Sequence, residues 1–99
     1  LNELEHWAQW QQSTGDNVVS ITYRRGRTDV PKQSANIGLE SAAALGVVAV
    51  WDSGEIEAEV LEVDSASRLY VYSGVVYDAA ELCQILDQTL GAVRALDPG

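Results

Sequence analysis

The chain has 99 residues, the length of one small domain, and 46% of them are hydrophobic, which argues against a disordered tail. Acidic residues outnumber basic ones by 15 to 6, and the net charge of -9 disfavours binding to nucleic acid or to an anionic membrane. One cysteine excludes an internal disulfide, and no apolar run reaches the ~20 residues that a membrane-spanning helix needs. We therefore expect one cytoplasmic domain over residues 1–99.

Periodic apolar residues predict a helix followed by five strands. The first helix is expected over Leu1 to Gln12, with Leu4, Trp7 and Ala8 on its buried face. Alternation of apolar and polar residues then predicts strands over residues 18–25, 35–40, 45–52, 55–63 and 69–77. The alternation is interrupted after Val60, which indicates a bulge or a strand end.

The last segment predicts a second helix. Asp78 is a suitable N-cap, and Glu81 follows at the spacing of a capping box. A stripe at helical spacing continues to the end of the segment, and Pro98-Gly99 ends it. The stripe comprises Leu82, Leu86, Leu90 (or Thr89), Val93 and Leu96.

The connections between the predicted strands are too short for crossover helices, so the sheet should be an antiparallel meander. The predicted fold class is α+β, a two-layer sandwich in the order α-β-β-β-β-β-α, with both helices on one face of the sheet. The other face would then be free to contact a partner.

The hairpin between the third and fourth strands supplies the candidate site. A two-residue loop at Ser53-Gly54 would place Trp51, Ala49 and Val47 on the core face. The core face would also carry Ile56, Ala58 and Val60. The opposite face would carry the candidate partner-binding residues Val48, Val50, Asp52, Glu55, Glu57 and Glu59. The alternating acids are expected to fix this register, since a slip of one residue would bury three carboxylates. The alternative is a solvated face that only aids solubility.

The chain offers no recognisable catalytic, cofactor or metal site. His6 is the single histidine, and Cys83 lies among leucines and isoleucine of the last helix, where a semi-buried, inert thiol is expected. Zinc would need three or four such ligands, and the sequence has no EF-hand spacing and no phosphate-binding glycine loop. We therefore expect that the protein is not an enzyme and has no cofactor.

Two further groups of residues have alternative interpretations. Four of the six basic residues flank the first hairpin loop, where they form either a weak nucleic-acid patch or pairs with nearby acids. They are Arg24, Arg25, Arg27 and Lys32. Of the three tryptophans, Trp7 and Trp51 are expected in the core, and Trp10 is expected to be partly exposed.

Several motifs resemble a known family. Val50-Trp51-Asp52-Ser53-Gly54 precedes a strand of alternating acids, and an acid-capped helix opens at Asp78. Three earlier segments contribute to the same family resemblance: Lys32-Gln33-Ser34-Ala35, Ile37-Gly38-Leu39-Glu40-Ser41 and Leu45-Gly46. Over Trp7 to Leu96 the chain thereby resembles the TriTu family of immunity proteins of bacterial polymorphic toxin systems. The Arg24-Arg25-Gly26-Arg27 loop and the first strand match no pattern of the family.

The resemblance implies a protein that binds a cognate secreted toxin domain in the cytoplasm of the producing cell and is not an enzyme. An acidic inhibitor would suit a toxin with a basic surface. We expect a monomer or weak dimer that neutralises the toxin by stoichiometric occlusion. The alternatives are an adaptor or structural module that dimerises through its open sheet, and a small-ligand or metal-binding domain.

Overall fold

The computed structural model describes residues 2–14, 19–26, 29 and 31–95. Their helices and strands follow the predicted order. The elements are α1 (Asn2–Thr14), β1 (Ser20–Arg25), β2 (Ser34–Glu40), β3 (Ala44–Trp51), β4 (Glu55–Glu62), β5 (Arg68–Val75) and α2 (Ala79–Ala95). The predicted α+β class is confirmed.

The five strands form one antiparallel sheet in the order β1-β2-β3-β4-β5. Each strand therefore pairs with its neighbour in sequence, as short connections require. The pairing of β4 with β5 shifts register between Val60 and Leu61, so the predicted interruption after Val60 takes the form of a register shift within the strand and not of a strand end.

Both helices pack on one face of the sheet and enclose the core. The side chain of Trp7 on α1 is buried, and its Nε1 donates a hydrogen bond of 3.0 Å to Asp87 Oδ1 on α2. The largest fully buried side chains come from both layers: Leu4, Ile37, Leu39, Val48, Ile56, Val60, Leu86, Thr89 and Val93. Burial of this apolar area, at about 25 cal/mol per Å², is the main stabilising contribution.

The N-terminus of α2 is capped as predicted. Asp78 Oδ1 accepts a hydrogen bond of 2.8 Å from the Glu81 N–H, which would otherwise have no partner in the first turn. The Glu81 carboxylate in turn accepts a bond of 3.3 Å from the N–H of Tyr77, one residue before the cap. The predicted stripe is buried as far as Val93, and Leu96 and Pro98-Gly99 lie outside the described residues.

The predicted register of the β3–β4 hairpin is wrong by one residue. Val50 pairs with Ile56, and Val48 pairs with Ala58, so both valines lie in the core with β4's apolar residues. Conversely, Val47 is 46% exposed. Ala49 and Trp51, also predicted in the core, lie on the open face and are partly exposed.

The cause of this shift is the length of the hairpin loop. The N–H of Gly54 donates to the carbonyl of Trp51 at 2.9 Å, and Gly54 has φ of 93°. Asp52-Ser53-Gly54 thus forms a three-residue loop that ends in a left-handed residue, a conformation that glycine adopts without strain. One additional loop residue reverses the faces of β3 relative to the prediction.

No helix among the described residues is long and apolar enough to cross a bilayer.

Candidate functional site

The sheet face opposite the helices is open, and we call it the open face. Side chains from adjacent strands form rows across it, because paired residues of antiparallel strands point to the same side. One row runs from Thr22 through Gly38, Val47 and Glu59 to Val71. The open face therefore places apolar β3, acidic β4 and apolar β5 side by side.

Exposed apolar side chains lie on both sides of the acidic strand. Leu45 and Val47 of β3 are 48% and 46% exposed, and Val71 and Val75 of β5 are 55% and 42% exposed. Between β3 and β5 lies a shallow groove whose floor and walls include Val47, Ala49, Glu57, Glu59 and Val71. Contiguous exposed apolar surface rimmed by polar groups is typical of protein interaction sites.

The three alternating glutamates point away from the core, as predicted. Glu55 and Glu57 are exposed, and Glu59 is half-buried. Their charge is partly compensated within the chain: Lys32 Nζ lies 2.8 Å from Glu55 Oε1, and Arg68 Nε lies 3.7 Å from Glu59 Oε2. Among the described residues, Glu57 has no ion pair.

Lys32 also determines the acidity of its partner. Its hydrogen bond to Glu55, and then its positive charge, lower the pKa of the Glu55 carboxyl below the ordinary 4.5. The same ammonium lies 5.9 Å from the centre of the Trp51 ring, within cation–π range. Of the two interpretations of the basic residues beside the first hairpin loop, pairing with nearby acids therefore holds for Lys32.

The other predicted site residues, Asp52, Val48 and Val50, do not lie beside the glutamates on the open face. Asp52 is exposed in the hairpin loop, where Oδ2 accepts a bond of 3.0 Å from the N–H of Gln33, and it does not extend the glutamate row on β4. Val48 is completely buried and Val50 is 4% exposed, so the prediction that they lie on the open face is wrong. Neither side chain can reach a partner while the core is intact.

Sequence reasoning missed the apolar residues that replace them, Leu45, Val47 and Ala49. Residues 44–50 are all apolar or glycine, so alternation alone could not distinguish the two faces of β3. The available signal was Asp52-Ser53-Gly54, since glycine at the third position is typical of three-residue hairpin loops.

A depression also lies over Gly38 at the β1 side of the open face. Ser20, Thr22, Arg24, Asn36, Glu40 and Leu45 line it together with Gly38. Arg24 and Arg25 are exposed, and Arg27 lies outside the described residues.

The single cysteine of the chain is in an unreactive environment. Cys83 is half-buried on α2, and burial, followed by the carboxylates of Asp87 and Glu3, raises the pKa of its thiol. A raised pKa reduces the thiolate fraction, which is the opposite of what catalysis needs. His6 is exposed on α1. The described residues contain no group of three or more potential metal ligands from histidine, cysteine, aspartate and glutamate.

Trp7 and Trp10 are placed as predicted, the first buried and the second 63% exposed. Trp51 is the exception, because the shifted register brings it to the open face beside Lys32.

Comparison with known proteins agrees with the resemblance in the motifs. A search of curated proteins gives no match. The family model described as "Immunity protein TriTu" matches residues 2–91, which include α1, all five strands and most of α2. The chain belongs to the TriTu family of immunity proteins.

Proposed function

We propose that the protein binds a cognate toxin domain and neutralises it by stoichiometric occlusion, with the open face as the contact surface. The observation that carries the proposal is the uncovered sheet face, on which exposed Leu45, Val47 and Val71 flank a column of carboxylates. Membership of an immunity-protein family supports a toxin as the partner. The protein would act in the cytoplasm of the cell that produces the toxin.

Charge supports a basic surface on that toxin. The net charge of -9 gives long-range attraction to a basic surface, and such steering can raise association rates to about 10⁸ M⁻¹s⁻¹ at low salt. Toxins that act on nucleic acids have basic clefts, and an acidic inhibitor could occupy one.

The groove between β3 and β5 is also suited to a basic partner, through short-range contacts with its lysine or arginine side chains. Its floor of Val47, Ala49 and Val71 can contact the aliphatic stem of an arginine or lysine side chain. Glu57, which has no ion pair in the described part of the chain, can then accept hydrogen bonds from the cationic end. A partner's cation could also replace Arg68 at Glu59.

The open face is also large enough for a stable complex. A standard interface covers ~800 Å² on each partner, roughly one seventh of this protein's accessible surface of 5905 Å². One sheet face of a five-stranded domain can supply that area without rearrangement of the helices.

The direct test replaces the three alternating glutamates of β4, Glu55, Glu57 and Glu59, by glutamine. Binding to the toxin domain encoded beside this protein's gene is measured by stopped-flow fluorescence at several salt concentrations. We expect the association rate at low salt to fall by about tenfold or more and its salt dependence to weaken. A matched variant carries Glu3→Gln, Glu5→Gln and Asp64→Asn, which remove the same charge away from the open face.

Two results would count against the proposal. Equal slowing by both triple variants would assign the effect to net charge and not to the open face. Failure of the wild-type protein to bind or inhibit the toxin would refute the toxin-neutralising function itself.

A further inference from the structure

The order of the sheet leaves β1 and β5 as its two edge strands. An edge strand has backbone N–H and C=O groups that no neighbouring strand satisfies, and these can pair with a strand of another protein. The two edges of this sheet differ in how they are covered.

The β1 edge is partly covered from within the chain. The N–H of Gly26 donates to the carbonyl of Ser34, which makes these two residues a hydrogen-bonded pair of the β1–β2 ladder. Because hydrogen-bonded residues alternate along an antiparallel strand, the backbone N–H and C=O groups of Ile21 and Tyr23 point away from β2. Gln12 Nε2 of α1 donates a bond of 2.8 Å to the outward carbonyl of Ile21. The strand also ends in the exposed Arg24-Arg25 pair, and charge is a common protection of edges.

The β5 edge has no such cover among the described residues. The N–H of Val76 bonds to the carbonyl of Gly54, so by alternation Val71, Ser73 and Val75 direct their backbone groups outward. No side chain in the described part of the molecule bonds to these groups. Leu69 is 41% exposed in addition to the two valines, and Arg68 is the one charged residue of the strand.

We propose that a strand of the toxin domain pairs with β5 and extends the sheet to six strands. This inference rests on the proposed function and specifies how the partner docks. Backbone hydrogen bonds to the edge would supply affinity, and side chains on the open face would supply specificity.

Charge favours a basic partner strand over a second copy of this chain. An added strand would lie ~5 Å from β5 and ~10 Å from β4, so its lysine or arginine side chains could reach Glu57 and Glu59. Edge pairing of two copies would bring together two chains of net charge -9 and place their acidic β4 strands only ~14 Å apart. That distance is less than twice the screening length of about 8 Å in physiological salt, so salt weakens the repulsion between the two strands without abolishing it.

The test uses Ser73, whose N–H points outward. Ser73→Pro removes that donor but no hydrogen bond to β4, and proline is tolerated on the outer side of edge strands. Ser73→Ala is the matched control, because it removes the hydroxyl and keeps the N–H. We expect Ser73→Pro to raise the Kd for the toxin domain about tenfold or more and Ser73→Ala to change it little.

Hydrogen–deuterium exchange of the wild-type protein provides an independent measurement. The amides of Val71, Ser73 and Val75 should exchange rapidly in the free protein and be protected in the complex. This measurement tests whether a toxin strand pairs with β5 even if the Ser73→Pro variant fails to fold.

The outcomes separate this inference from the proposed function. If the wild-type protein binds the toxin and these three amides stay unprotected, the edge inference is overturned and the proposed function stands. If the wild-type protein does not bind the toxin, both are refuted. Protection of the same amides in a dimer of the free chain would identify a second copy as the occupant and overturn the inference.

Discussion

At the scale of single residues, one ion pair joins the segment before β2 to the β3–β4 hairpin. Lys32 Nζ contacts Glu55 and lies over Trp51, and the carboxylate of Asp52 accepts the N–H of Gln33. These contacts hold the loop end of the candidate site against the neighbouring strand. Glu55 is exposed, so solvent screens the pair and its contribution to stability is small.

The pair predicts a defined pH dependence. Since folding lowers the pKa of Glu55, the stabilisation is fully present above its ordinary pKa of 4.5 and is lost as the pH falls through the lowered value. We expect Lys32→Gln to raise the pKa of Glu55 towards 4.5, as measured by NMR titration of its carboxyl carbon. Lys32→Arg, which keeps the charge, should raise it less. An unchanged pKa in Lys32→Gln would contradict the assigned cause.

At the scale of elements, the contact of α2 with the sheet depends on a glycine. Gly46 of β3 is buried, and a Cβ there would lie 3.0 Å from Val93 Cγ2 and 3.4 Å from Leu39 Cβ. Val93 and Leu39 are completely buried, so they have little room to move. The absence of a side chain at Gly46 lets α2 approach the sheet closely.

Gly46→Ala is therefore expected to lower the free energy of unfolding by about 1–3 kcal/mol through overpacking. Gly38→Ala is the matched control on the open face, where a Cβ would meet nothing within 4 Å. The control should leave stability unchanged or raise it slightly, because it restricts the unfolded chain. Urea denaturation of both variants gives the comparison. Equal midpoints would show that α2 adjusts without cost.

At the scale of the whole molecule, the described residues form two layers that leave one sheet face and one edge uncovered. Exposed apolar residues on that face would favour self-association, whereas the net charge of -9 opposes it. The competing adaptor hypothesis requires a stable dimer through the same surface.

We expect the free protein to stay monomeric over a wide range of concentration at physiological salt, as measured by light scattering. High salt screens the repulsion and should increase any weak dimer. A dimer that persists on dilution at low salt would favour the adaptor hypothesis.

The sequence by itself determined the order of elements, the antiparallel meander, the cap of α2 and the outward direction of the glutamates. These features follow from local chemistry: strict alternation at Glu55, Glu57 and Glu59 permits one orientation of β4 without burial of charge. Short connections exclude parallel crossovers, and Asp78 offers an acceptor where the first turn of α2 needs one.

Only the tertiary structure decided which face of β3 is open, which carboxylates are paired and which edge is uncovered. β3 is apolar on both faces, so its direction depends on the length of the hairpin loop and on the conformation of Gly54. Lys32 reaches Glu55 across 23 positions of sequence, and Gln12 reaches Ile21 from a separate element. Contacts of this kind depend on packing between elements, which local periodicity does not encode.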